Sequence, residues 1–218
     1  MKLTKTLVAC SVLAATTGLS SVAMAESPLT GNIGFTSNYM WRGVTQTGDL
    51  SAISGGIDYG ISGFYVGTWA SNLGGGQYEA DLYAGYGFDA GPVGLDFGYI
   101  KYMYPIGTVD ADFDEVYANV TWEMLSAGAA YTVSKEGSPP NKNDLYLYVG
   151  ADFEVAKGLS LGLLYGSYDF DEPTSEDYTH YKVSLSKDDF SFALEKNDTT
   201  ADDDMRAVVS YSKSFDLL

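Results

Sequence analysis

A strict alternation of wet and greasy side chains limits what this chain can fold into more than any other feature. In QYEADLYAGYGF, residues 77 to 88, an extended chain puts Gln77, Glu79, Asp81, Tyr83, Gly85 and Gly87 on one side and Tyr78, Ala80, Leu82, Ala84, Tyr86 and Phe88 on the other. One face carries two carboxylates and the other none. The pattern returns in LSAISGGIDYGI, VGLDFGYIKYM, DEVYANVTW, DLYLYVGADF, THYKVSLS and MRAVVSYSKSF. A period of two means strands, and 25 glycines with 18 tyrosines suit strands and tight turns better than helices.

The connections between these runs alternate in length. Tight ones are expected near 62–63, 89–92, 123–126, 154–158 and 187–189, and long polar ones near 40–49, 71–76, 104–112, 134–143, 169–177 and 196–203. Five short and six long connections join twelve antiparallel strands in an up-and-down meander, with both termini on the short-turn side. An even strand count with turns at one end and loops at the other is the pattern of a bacterial outer-membrane β-barrel.

A soluble barrel also alternates, so the height of the aromatic residues decides. On the apolar face, Tyr39, Tyr78, Tyr99, Tyr131, Tyr165 and Tyr181 are expected beside the long loops, and Phe64, Phe88, Trp122, Phe153, Phe190 and Phe215 beside the short turns. Between them lie Ile57, Leu82, Phe97, Val120, Val149, Leu163 and Val183. Two aromatic bands around an aliphatic zone match the girdles at the two bilayer interfaces. The apolar face then meets outer-membrane lipids and the polar face a water-filled lumen. Closure is compulsory, because each unsatisfied backbone group in hydrocarbon costs several kcal/mol.

Residues 1–25 read as a cleaved signal peptide: Lys2 and Lys5, an apolar run from Leu7, then Ala23-Met24-Ala25. Residues 26–218 form the barrel domain, exported through the periplasm to the cell outer membrane. Cleavage takes Cys10, the only cysteine, which leaves no disulfide and no thiolate metal ligand. It also takes two lysines and no acid, so a chain of net charge −17 becomes more acidic still. Such a surface repels nucleic acid and attracts cations. No run approaches the roughly 20 apolar residues of a spanning helix.

SNYMWRGVTQT at 37–47, with Tyr39, Arg42 and Gly43, and GGIDYGISGFYVGTWASNL at 55–73 resemble the start of the TorF-family porins. The resemblance runs over the whole mature chain and implies an outer-membrane barrel with porin activity, without a defined substrate. The ending SFDLL departs from the commonest outer-membrane terminus, since Phe215 lies inside the end. Recognition by the outer-membrane assembly machinery is therefore less strongly signalled than the barrel, and a homo-oligomer stays open.

Parity gathers the inward charges: Asp58, Glu79, Asp81, Asp96, Glu115, Asp144, Asp152 and Glu195 against Lys182 and Arg206, with His180 beside them. Such a lumen favours cations, or its charges simply keep a plugged interior hydrated. Twelve strands at about 4.8 Å, inclined about 40°, close into a backbone cylinder roughly 24 Å across, which inward side chains narrow to roughly 10 Å or less. That passes ions or small solutes. The alternatives are a closed structural or adhesion barrel whose loops act, and an enzyme acting on lipid. The enzyme would need His180 as base, but Ser184 lies four residues along the strand, about 13 Å away. Arg42 is expected to reach an inward carboxylate or a lipid head group, and Gly43 to mark a bend. The acids of 201–205 and 112–115 lack EF-hand spacing, so neither a metal site nor a cofactor is expected.

Overall fold

The computed structural model describes residues 28–106, 111–137 and 143–218. The proposed signal peptide, with Cys10, lies outside the described residues, as do parts of two long loops.

Twelve strands close into one antiparallel barrel. They are β1 (Leu29–Thr36), β4 (Ala52–Ile61), β5 (Phe64–Asn72), β6 (Tyr78–Ala90), β7 (Val93–Met103) and β8 (Phe113–Trp122) in the first half. The second half is β9 (Leu125–Lys135), β10 (Leu145–Ala156), β11 (Leu159–Asp169), β12 (Tyr178–Lys187), β13 (Phe190–Asn197) and β14 (Arg206–Asp216). Each strand pairs with its neighbour in the chain, and β14 closes against β1, so no edge is left to hydrogen-bond with lipid. The tight turns are shorter than the expected ranges, because β9 starts at Leu125 and β10 runs to Ala156. At Ser62-Gly63 both φ values are positive, as a two-residue hairpin whose twist matches its strands requires.

The faces follow parity. Ile57, Leu82, Phe97, Val120, Val149, Leu163 and Val183 are exposed on the outside, a continuous apolar zone on a folded chain. Tyr78, Tyr99, Tyr131, Tyr165 and Tyr181 flank it at one end, and Phe64, Phe88, Trp122, Phe153, Phe190 and Phe215 at the other. Tyr39 corrects the expected upper band. It lies beyond β1 and turns inward, its ring edge-on to Trp69 and its hydroxyl on Glu79, while Phe35 of β1 takes an outward place.

The segment between β1 and β4 is not simply a polar loop. It contains a hairpin, β2 (Met40–Trp41) and β3 (Val44–Thr45), that folds into the barrel. Met40 is buried against Ala193 and Val208. Trp41 stands edge-on to Tyr102, Phe113 and Tyr168 of three different wall strands or their margins. Apolar side chains that would be costly in a wet loop thus find cover inside the loop-side half of the lumen.

Candidate functional site: an acid-lined lumen with an inserted hairpin

Small and large residues alternate across the inner wall. Tyr83 lies opposite Gly67, Tyr65 opposite Gly85, Tyr117 opposite Gly98 and Tyr148 opposite Gly128. Each ring leans over its glycine so closely that a Cβ there would fall 2.2–2.6 Å from the ring or its hydroxyl. Glycine is needed here for close approach, and the ring covers the backbone that glycine exposes. Tyrosine brings a polar tip into the lumen, and two of those tips, on Tyr65 and Tyr83, donate to acids.

Asp96 accepts from the Tyr65 hydroxyl at 2.6 Å and from Asn119 Nδ2 at 3.1 Å. Asn119 in turn accepts from Tyr148 at 3.0 Å, and Tyr65 meets Tyr117 hydroxyl to hydroxyl. Asp58 accepts from Tyr83 and, at 3.3 Å, from Asn32 Nδ2. Glu79 accepts from Tyr39 at 2.7 Å. Asp81 Oδ1 is buried without a hydrogen-bond partner among the described residues, and so are Tyr102 Oη, Trp41 Nε1 and His180 Nδ1.

The basic groups sit elsewhere. Lys182 pairs with Glu195 at 3.2 Å, Lys135 with Asp144 at 2.8 Å, and Arg42 with Glu115. Asp58, Glu79, Asp81, Asp96 and Asp152 have no basic nitrogen within 4.0 Å among the described residues. Four of these five stand on β4, β6 and β7, so one stretch of wall holds nearly all the acids that lack a basic partner. Parity placed Arg206 with the lumen bases, but it lies at the rim. There it holds Asp49 of the first loop and Asp202 of the last. The hydrogen bonds from Arg206 hold the Asp49 carboxyl below its usual range.

In the loop-side half, the β2–β3 turn reaches inward to the wall strands β8, β10 and β13. Arg42 and Gly43 both have positive φ, 49° and 80°. Glycine takes that conformation freely, whereas arginine in the first position pays strain. The return is aim. Both Arg42 terminal nitrogens donate to Glu115, at 2.8 and 2.7 Å, and the guanidinium carbon stands 4.2 Å from the Tyr146 ring centre and 5.0 Å from that of Tyr168. Trp41 of the hairpin itself covers it at 4.3 Å. Arg42 and Glu115 are 2% and 1% exposed, so the pair is desolvated and its fork geometry decides its worth. Gly43 presses on His180, where a Cβ would lie 2.5 Å from the His180 Cβ, and its carbonyl accepts from Asn197 Nδ2 at 2.7 Å. His180 Nε2 meets the Tyr146 hydroxyl at 2.9 Å; no serine takes that place.

Sequence reasoning put Tyr83 and Tyr117 on the polar face but gave no role to them or to Tyr65, Tyr146 and Tyr148. Their signal was present, since each stands on the polar face of its strand and four of them face a glycine one strand away.

Solved structures share the fold, among them three with TM-scores above 0.5. One, described as "Unveiling the Mechanism Behind the in-meso Crystallization of Membrane Proteins", superposes with a TM-score of 0.60 at 10% identity over 87% of this chain and 83% of its own. The KdgM porin gives 0.57 at 10% identity over 87% and 99%. The KdgM porin in complex with disordered oligogalacturonate gives 0.58 at 11% identity over 86% and 98%. At such identities the likeness establishes the barrel and nothing finer. No curated protein matches the chain in sequence. A family model described as "Bacterial protein of unknown function (Gcw_chp)" matches residues 22–217, so the chain belongs to that family.

Proposed function

We propose that the protein is an outer-membrane channel of the porin type, which passes ions or small solutes by diffusion and prefers cations. In this reading residues 1–25 are a cleaved leader, and the barrel sits in the outer membrane with its long loops outside. The observation that carries it is the wall of Asp58, Glu79, Asp81 and Asp96, four acids on neighbouring strands with no basic partner within 4.0 Å among the described residues. Acids in a confined lumen with low-dielectric walls focus their field and raise the local cation concentration. The shared barrel architecture with the KdgM porin and the TorF-like stretch around Arg42 both support a channel. The oligogalacturonate of the KdgM complex is a polyanion, and this wall would repel one.

The test is reversal potential across a potassium chloride gradient in planar bilayers. Converting Glu79, Asp81, Asp96 and Asp58 to their amides should lower the preference for potassium over chloride. The effect should fade toward 1 M salt, where the screening length falls to about 3 Å. Chloride preference in the wild type, or unchanged selectivity in the amide variant, refutes the mechanism.

A second reading, a closed barrel whose loops act, draws on the hairpin across the lumen. It predicts no conductance under any condition. A lipid-directed enzyme has less support, because the partner of His180 is the phenol of Tyr146.

A further inference from the structure

The Arg42 contact has the form of a ligand in a site. The receiving groups all belong to the wall: Glu115 on β8, Tyr146 on β10 and Tyr168 on β11. They would remain in place if the hairpin left. The occupant belongs to a separate short element outside the barrel sheet, a hairpin with two paired positions, Met40 with Thr45 and Trp41 with Val44, and a strained turn. A carboxylate offering both oxygens to two coplanar donors, between aromatic faces, selects a planar delocalised cation over a compact ammonium. With Arg42 withdrawn, Glu115 would be a carboxylate deep in the barrel with ring faces beside it and no other basic group within 4.0 Å among the described residues.

We propose that Glu115, Tyr146 and Tyr168 form a recognition site for guanidinium-bearing solutes, with Arg42 as its resident occupant, and that exchange of a solute for Arg42 withdraws the hairpin and clears the lumen. The opening step rests on the channel reading above; the binding step does not. Asn197 and Met40 oppose withdrawal by holding the hairpin's turn and flank. An entering cation also meets the acids of β6 and β7 on the adjoining wall, so the site is fed with the right sign of charge.

The test is calorimetric titration of the folded protein with methylguanidinium and with methylammonium at constant ionic strength. In the wild type the solute competes with a tethered arginine, whose effective concentration is of millimolar order. Removing the tether by Arg42→Gln should tighten methylguanidinium by about tenfold or more. Adding Glu115→Gln should abolish the gain, and methylammonium should bind weakly throughout. The gel mobility shift of folded barrels on heating checks each variant. If Arg42→Gln does not fold, Arg42→Lys serves, since lysine lacks the fork and should also yield the site more easily than arginine. Equal affinity in wild type and variant, undiminished binding after Glu115→Gln, or equal binding of the two cations overturns the site. In bilayers, wild-type conductance should rise when methylguanidinium is added. Calorimetric binding without that rise, in a protein that otherwise conducts, overturns the exchange-driven opening. A protein that binds but never conducts sinks the channel reading and leaves the site standing.

Discussion

Val183 and Ser184 are neighbours on β12 at mid-height, and the barrel turns them to opposite sides. Val183 is exposed on the outer face between Leu163 and Leu194, its partners on the adjoining strands. Ser184 faces the lumen between Gly162 and Ala193, both small. Arginine at 183 would place a cation in hydrocarbon near the midplane, at a cost of about 2–4 kcal/mol. At about 1.4 kcal/mol per decade, that is roughly a thirty- to thousandfold loss in the folding equilibrium. Arginine at 184 would enter a wet, acid-rich interior. Lys182 on the same face repels it, and Asp152, which pairs with Gly162 on the next strand, attracts it. These terms oppose one another, so the net change should stay within about 1 kcal/mol. Urea unfolding from phosphocholine vesicles, followed by tryptophan fluorescence and gel mobility, measures both on one protein. Equal costs, or a larger cost at Ser184, would refute the assignment of the lipid face and with it the membrane reading.

Other consequences are as specific. Cysteine at Leu50, exposed in the first loop, should react with an impermeant maleimide on whole cells, whereas cysteine at Lys157, in a short turn, should not; equal labelling would overturn the orientation. Gly98→Ala would put a Cβ 2.3 Å from the Tyr117 ring and hydroxyl and should cost about 1–3 kcal/mol of stability in the same unfolding assay, with Ala84→Gly as a milder control. The backbone and hydroxyl of Thr179 donate to Asp198, and these bonds hold that carboxyl below its usual 3.8. A depressed folded value means the clamp contributes fully above about 4 and is lost as pH falls through the folded value. Hydrogen exchange at the Thr179 amide should therefore accelerate in acid, and Asp198→Asn should remove the pH dependence; exchange that stays pH-independent after correction for intrinsic rates counts against it.

How far the chain could be read in advance depended on the range of the interaction. Parity is local, so strand count, closure, the outer bands and the inward aim of Glu79 and Asp81 were all legible. Which acids lack a basic partner was not. That depends on contacts such as Arg42 with Glu115, 73 residues apart, which no periodicity encodes. Arg206 shows the same limit: its parity is inward, but its position at the end of β14 lets Asp49 and Asp202 hold it at the rim. The hairpin left a local sign that loop length alone concealed. Met40 and Trp41 are apolar residues in a segment expected to be wet, and such residues seek cover. Tyr39 misled for a related reason, since an aromatic beyond a strand end can turn to either face.

The bookkeeping of lumen charge ties the hairpin to selectivity. When the turn is seated, Arg42 neutralises Glu115 and its side chain, with Trp41, fills the space between Tyr146, Tyr168 and Tyr102. Withdrawal therefore does two things at once: it widens the path and adds one uncompensated carboxylate to the wall. A simple plug would change conductance alone. Here the more conductive state should also be the more cation-selective, because the added charge lies in the same confined, weakly screened space as the acids of β6 and β7. Gly43→Ala provides a way to populate it without touching any charged group, since a Cβ at positive φ would collide with His180. That variant should show larger current steps and a reversal potential shifted toward the potassium value relative to the wild type. Larger steps with unchanged selectivity would mean that Glu115 does not contribute to the permeation field, and that the hairpin acts by obstruction only.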